Sequence, residues 1–321
     1  MVHTIFVNGN GYDNEFPYQN SSDDLKKIGN TIYRINSIAF YQSYIFDDSS
    51  KYTISGLNDS MIQKKAIKSI VINKTSFGTG VMIYSEGGTI GILTCAHVVN
   101  FPDTIITYFA EANGLFTNYV QSISFKTKEN VYVAGLPEGS NVDVVLSNDA
   151  NDVALLGRKY GIKYSDRFSS FSYRFGDAKE LKWGTFVYLL GYPLNYKMVS
   201  SAIVSSPNYD NKGSFLIDAS VNRGFSGGIV LALRNGVPNF ELVGIIDWVP
   251  EENQSVLEPA PIGESRRYSP LVPYKGDVFV KQLNYMQYGI ARAISIGEIK
   301  EYFAKNIQIL KDYGFDKSIL H

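Results

Sequence analysis

The sequence holds one cysteine, Cys95, in 321 residues. That count excludes a disulfide framework and a cysteine-rich zinc site. Histidine is almost as scarce: His3, His97 and His321, two of them at the termini. An excess of either charge is also missing. Lys plus Arg is 30 and Asp plus Glu is 31, a net charge of −1. Such a balance lacks the basic footprint of a nucleic-acid-binding surface, so no nucleic-acid partner is expected. No segment approaches the ~18 consecutive apolar residues of a membrane span. The N-terminus, MVHTIFVNGNGYDNEF, has neither the basic start nor the long apolar run of a signal peptide. The expectation is a cytoplasmic chain without a membrane span, although a secreted chain trimmed of its leader would read the same way.

What is present favours strands. Apolar residues make up 45% of the chain and charged residues 19%, enough for a packed core. There are 23 Tyr, 19 Phe and 28 Gly, a composition suited to strands and turns. From Ala66 onward short apolar runs recur between Gly, Asn, Asp and Ser: IKSIVIN, GVMIY, TIGILTCAHVV, DVALL, GTFVYLLGY, SFLIDA, GGIVLALRNG and ELVGIIDW. Many short strands with turn signals between them predict a sandwich or barrel, and the length suits two barrels. A weak break falls around Lys159–Asp177.

The flanks read differently. The first ~20 residues carry no periodic signal. Ser21 to Asp24 has capping-box form, and Leu25, Ile28, Ile32, Ile35 and Ile38 follow at helical spacing, predicting a helix over about Asp23–Tyr44. Asp47–Ser60 reads as a linker. Pro250–Pro273 holds five of the eleven prolines and predicts a long irregular loop. Ser295-Ile296-Gly297-Glu298 is a second capping box, and Ile299, Phe303 and Leu310 give the apolar face of a terminal helix. The expected organisation is an N-terminal extension at 1–62 and one domain at 63–321. Within that domain a first barrel is expected over about 63–160, a second over about 178–294 and a helix over about 296–310.

Three segments carry candidate chemistry. Asn222-Arg223-Gly224-Phe225-Ser226-Gly227-Gly228 sets a serine in a glycine-rich turn between strand-like runs. The glycines let the backbone curl so that amide N–H groups converge, which suits a nucleophile; an incidental serine in a hairpin would look alike. A weak hydroxyl needs a base, and His97 is the one histidine away from the termini, although a lone histidine is commonly a satisfied core residue. The base needs an orienting carboxylate. Asp152 stands just before the buried run Val153-Ala154-Leu155-Leu156, where a turn-capping role would serve equally; Asp143 and Asp149 compete, less closely tied to an apolar run.

Together these segments resemble the trypsin-like serine peptidases, and among them the HtrA-like branch. Thr94-Cys95-Ala96-His97-Val98 resembles the histidine motif and Asn151-Asp152-Val153-Ala154-Leu155 the aspartate motif. Asp218 through Gly228 is similar to the serine motif. Phe77-Gly78-Thr79-Gly80-Val81, Trp183 through Pro193 and Tyr288 through Ile294 resemble flanking strands, so the likeness covers about Lys68–Asn306. It implies an all-β fold of two six-stranded antiparallel barrels, a C-terminal helix, and here a partly helical N-terminal extension. It implies a serine endopeptidase with Ser226 as nucleophile, His97 as base and then acid, and Asp152 fixing the imidazole tautomer. The amides of Gly224 and Ser226 would form the oxyanion hole.

No cofactor or metal is implied, and the partners are protein or peptide substrates. The pocket for the side chain before the cleaved bond would be lined by Ser220, Val221, Asn222, Trp248 and Val249. Ser220 stands where enzymes cleaving after Arg or Lys carry an Asp, and Val249 narrows the mouth, so small or medium apolar residues are expected. The 250–287 insertion beside the cleft is expected to cover or gate that pocket.

The sequence also departs from the family. Phe225 replaces the Asn or Asp usual before the nucleophile, so activation by a salt bridge to a freed N-terminus is absent. Arg223 replaces a frequent Pro. Asp247 falls where the family places a small polar residue near the aspartate of the triad. Too few residues follow Ile299 for a PDZ domain. Phe225 and Asp247 leave open a second reading, a silent pseudopeptidase that binds peptides or partners. A triad esterase on an α/β sheet is disfavoured by the His, Asp, Ser order.

Overall fold

A computed structural model describes residues 11–320 except 113, 140, 165–166, 248–250, 260–267, 270 and 287–288. The chain enters through helix α1 (Ser22–Gly29), strand β1 (Ile32–Ile45) and the short helix α2 (Asp59–Lys65). Six strands follow: β2 (Lys68–Glu86), β3 (Thr89–Thr94), β4 (Thr104–Ala110), β5 (Phe116–Val133), β6 (Asn141–Asn148) and β7 (Val153–Lys159). The one-turn helix α3 (Ala96–Val99) lies between β3 and β4. The second half contains β8 (Arg174–Phe175), β9 (Phe186–Gly191), β10 (Met198–Ser206), β11 (Phe215–Ile217), β12 (Ile229–Leu233) and β13 (Phe240–Ile246). It continues through β14 (Glu251–Pro259), β15 (Val278–Met286) and β16 (Ala291–Ser295) to helices α4 (Ile296–Lys305) and α5 (Ile307–Tyr313).

The strands close into two six-stranded antiparallel barrels. In the first, the ring runs β1-β2-β3-β7-β6-β5 and is sealed by pairing of β1 with β5, while β4 extends the far half of β5. In the second, the ring runs β12-β9-β10-β11-β16-β13 and is sealed by pairing of β12 with β13; β8 adds a short parallel edge to β13. In the second barrel β9, β12 and β13 are buried on both faces. Val187, Leu189, Val230, Val243 and Ile246 pack in the barrel's own cluster. Their neighbours Phe186, Tyr188, Leu190, Leu231 and Ile245 join a cluster that is continuous with the first barrel and the C-terminal helices. Aromatic residues of the predicted weak break, Tyr160, Tyr164 and Phe171, pack into that shared cluster.

Three expectations at the N-terminal end are corrected. Helix α1 stops at Gly29, and residues 32–45 are strand rather than helix. Ile35, Ser37, Ala39, Tyr41 and Ser43 are buried in alternation, a period of two that the chance spacing of Ile32, Ile35 and Ile38 disguises. Because β1 pairs along its whole length with β2, a division at residue 62 cuts through the first barrel. The first capping box is not formed, since Ser21 makes no side-chain cap. The second forms its N-cap half: Glu298 N donates to Ser295 Oγ at 3.1 Å, while the Glu298 carboxylate accepts from Ser214 Oγ at 3.4 Å. The first described residues are not idle either. Tyr12 Oη donates to Glu241 at 2.7 Å, and the Asp13 carboxylate accepts from Gly236 N at 2.7 Å, so this segment is bound to the second barrel.

The predicted irregular loop is in large part a ribbon. β14 and β15 pair antiparallel from Glu251–Met286 to Pro259–Val278 as a separate two-stranded sheet. Leu257, Phe279 and Val280 are exposed on it. Pro259 is the last residue of β14 and Pro273 lies between the two strands, so neither interrupts the pairing.

Candidate active site at the barrel seam

The seam is stitched at Thr79. Its side chain is fully buried and donates from Oγ1 to Gly224 O at 2.7 Å, while Tyr192 N donates to the same Oγ1 at 2.8 Å. Its main-chain N–H donates to Ser226 O at 2.8 Å, and its carbonyl accepts from Thr94 Oγ1 at 2.7 Å. One threonine of β2 thus links the first barrel to the glycine-rich turn between β11 and β12. Gly78 leaves the space for this approach. A Cβ there would lie 2.6 Å from Val98 Cγ2 and 2.9 Å from Ser226 O.

The turn itself is made by backbone geometry. Gly224 has φ +96°, and a Cβ on it would stand 2.5 Å from Tyr192 O. Gly227 has φ +80°, and a Cβ would collide with the Thr79 carbonyl. Both positions need the left-handed region and the absence of a side chain. The Arg223 carbonyl accepts from Leu194 N at 2.9 Å, and Gly227 N donates to Ile246 O at 2.7 Å. Among the described residues the amides of Gly224 and Ser226 have no acceptor. A turn with two such donors is suited to holding an oxyanion. Phe225, which replaces the family's polar residue, points its ring into the core of the second barrel, 3% exposed and close against Gly191 and Gly228. The turn is therefore braced by an apolar anchor.

His97 and Asp152 are brought together by neighbouring strands of the first barrel, since β3 pairs with β7 and Thr94 stands opposite Ala154. Ala96, Val98 and Val99 of α3 are buried, which leaves His97 as the exposed residue of that turn. Its Nδ1 lies 2.6 Å from Asp152 Oδ2, and its main-chain N–H donates to Oδ1 at 2.8 Å. Asp152 has φ +48°, a conformation that Asp tolerates better than most residues, just before β7. Burial pushes its carboxyl up, but the His97 ring and main-chain N–H groups, with Asp247, outweigh burial and hold it below the usual carboxylate value. The competitors are occupied elsewhere: Asp143 accepts from Tyr313 Oη at 2.7 Å and Asp149 accepts from Asn100.

Cys95, His97 and Asp152 have ligand atoms within 4.8 Å of one another. Their chemistry argues against a cation site. Burial pushes the Cys95 thiol well up, and its Sγ donates to Ile246 O at 3.2 Å, while both Asp152 oxygens are engaged by His97.

The expected pocket residues scatter. Ser220 is exposed, Val221 is 1% exposed in the second barrel's core, and Asn222 is half-buried with its carbonyl accepting from Phe225 N at 3.1 Å. Trp248 and Val249 lie outside the described residues.

A family model described as a trypsin-like peptidase domain matches residues 78–245, just over half of the chain. The chain belongs to the trypsin-like peptidase family. No curated protein matches this trypsin-like chain. Among solved structures, it is similar to the HtrA-type protease AlgW with a decapeptide (TM-score 0.43, 15% identity, 92% of this chain and 68% of that one). It is also similar to AlgW with a tripeptide (TM-score 0.43, 16% identity, 92% and 65%). A third is an inactive-form mutant of Rv3671c from M. tuberculosis H37Rv (TM-score 0.44, 14% identity, 92% and 96%). The trypsin-like chain thus spans about two thirds of the AlgW chains. No helix among its described residues is long and apolar enough to cross a membrane.

Two residues of this site lay outside the candidates chosen from sequence. Thr79 was visible only as part of a flanking motif. Arg292, which faces Asp247, announced itself as a lone charge in the otherwise small and apolar run Ala291-Arg292-Ala293-Ile294.

Proposed function

We propose that this trypsin-like domain is a serine endopeptidase that works through an acyl-enzyme. Ser226 Oγ attacks the substrate carbonyl as His97 Nε2 takes its proton. The tetrahedral oxyanion rests on the amides of Gly224 and Ser226. His97 then returns the proton to the leaving amine, and water repeats the sequence to release the acid. Asp152 holds the Nδ1–H tautomer and balances the imidazolium. The observation that carries this reading is the doubled contact of Asp152 on His97, by ring and by main chain, next to a glycine turn with two amides lacking acceptors. The buried position of Phe225 weakens the pseudopeptidase reading, because its ring does not occupy the turn.

Ser220 in place of an anion favours cleavage after small or medium apolar residues, since a buried Arg or Lys would lack a charge partner. The β14–β15 ribbon would gate that pocket. A serine-directed fluorophosphonate should label the wild type and not Ser226→Ala, and a peptide library should show the apolar preference. An unlabelled wild type sinks the peptidase reading; dominant cleavage after Arg or Lys sinks the pocket reading.

A further inference from the structure

Behind the triad acid lies a second carboxyl. Asp247, at the end of β13, is 3% exposed, and its main-chain N–H donates to Arg292 O at 3.0 Å. Its side chain is within hydrogen-bonding reach of Asp152 on one side. On the other, Arg292 Nη1 lies 3.0 Å from Oδ2. That contact is an ion pair without a hydrogen bond: Asp247 Oδ2 is buried without a hydrogen-bond partner, and so is Arg292 Nε. Asp152 already accepts from His97 through both oxygens, so a further neighbour must donate to it or repel it. An ionised carboxylate cannot donate; a protonated one can. One guanidinium cannot neutralise two adjacent buried carboxylates.

We propose that Asp247 keeps a proton and donates it as a hydrogen bond to Asp152, with Arg292 as its holder, so that Asp247 is a positioning residue for the triad acid. The proposal rests on the serine-peptidase reading of His97, Asp152 and Ser226. Five titratable or charged groups face this carboxyl: Asp152 from the turn before β7, Cys95 after β3, Arg292 from β16, Glu298 from α4 and Tyr209 from the β10–β11 connection. Burial first, then Asp152, push Asp247 up to about 8, and only Arg292 pulls the other way. Near neutral pH the proton is therefore held. As the pH passes that value, Asp152 loses a donor and gains a like charge beside it. A hydroxyl in this place would not titrate there, so the arrangement builds an alkaline limit into the site.

The test reads geometry and turnover separately. The low-field proton resonance of His97 Nδ1, assigned by its loss in His97→Gln, is followed from pH 6 to 10. In the wild type it should step near pH 8, the value to which Asp247 is pushed. The step should vanish in Asp247→Asn, whose amide donates at every pH, and move higher in Arg292→Met. In turnover, Asp247→Ala should lower kcat by about tenfold or more with KM little changed, and Asp247→Asn should recover most of the loss and remove the alkaline fall. The wild-type scan needs no variant to fold. A resonance with no step in the wild type, or one that persists in Asp247→Asn, overturns the pairing whatever the activity. A step at pH 8 in a protein that never cleaves or labels leaves the pairing standing and sinks the peptidase reading.

Discussion

At the Ser226 end of the candidate site, geometry is set by main chain and one hydroxyl: Gly224 and Gly227 at positive φ, and Thr79 bonded to the turn through its N–H and its Oγ1. At the acid end it is set by charged side chains: Asp152 on His97, with Asp247 and Arg292 behind. Backbone hydrogen bonds change little with pH or neighbouring sequence. A cluster of buried charges is sensitive to both, because each ionisation alters the rest. The two ends should therefore fail in different ways, the first through shape and the second through pH.

The largest effect should come from Ser226, the proposed nucleophile. Ser226→Ala is expected to cut turnover on a denatured protein substrate by roughly a million-fold, to the level left by binding and the oxyanion donors alone. Full activity in the purified variant would remove Ser226 from the chemistry. Next comes the shape of the turn. Gly227→Ala places a Cβ against the Thr79 carbonyl and should cost about 100-fold or more in kcat, the scale of a misplaced oxyanion donor. An unchanged kcat would mean that the turn is softer than its contacts imply.

Thr79→Val sharpens the comparison, since it removes only the hydroxyl. Gly224 O and Tyr192 N then lose their shared partner, and a loss of about 1–3 kcal/mol in denaturant unfolding is expected, with no change in the pH profile of activity. A shifted profile would show that the two ends are electrically coupled. The last effect leaves the chemistry untouched and is a pH-dependent stability difference. Asp247 is held above its ordinary value, so the stability tied to its protonated form is complete below about pH 4, its unfolded range, and is lost as the pH rises through about 8. Asp247→Asn should therefore gain on the wild type in thermal melts between those limits. Asp152, held low, works in the opposite sense and loses its contribution as the pH falls below the carboxylate range. A constant difference between the two proteins across that range would contradict the assignment.

The barrels were legible in the sequence because their strands are short, apolar and separated by turn residues, and each turn states its own chemistry. β1 was not, because isoleucines at helical intervals coincided with a two-residue alternation of small, polar and aromatic residues buried between β2 and β5. The β14–β15 ribbon was hidden by the prolines of its segment, of which Pro259 stands at the end of β14 and Pro273 outside both strands. In the site, His97, Asp152 and the glycine turn could be found from scarcity and spacing. The partner of Asp247 could not, since Arg292 lies 45 positions further on and only closure of the second barrel brings it near. Val221 shows the reverse error, in which a place in a motif suggested a pocket wall and the barrel took the side chain into its core.

Both ends of the described chain lie on the barrel they did not build. Tyr12 and Asp13 grip the second barrel before β1 enters the first, and Tyr313 and Phe315 return from the second to pack on Asp143 and Tyr84 of the first. With the connection from Lys159 to Phe186, the polypeptide crosses the seam three times. A joint laced in this way has no free hinge. Sliding one barrel past the other would have to undo both terminal docks at once. Residues delivered from the two halves are thereby kept in register before any substrate arrives, and heating should melt the halves as one cooperative unit rather than in sequence.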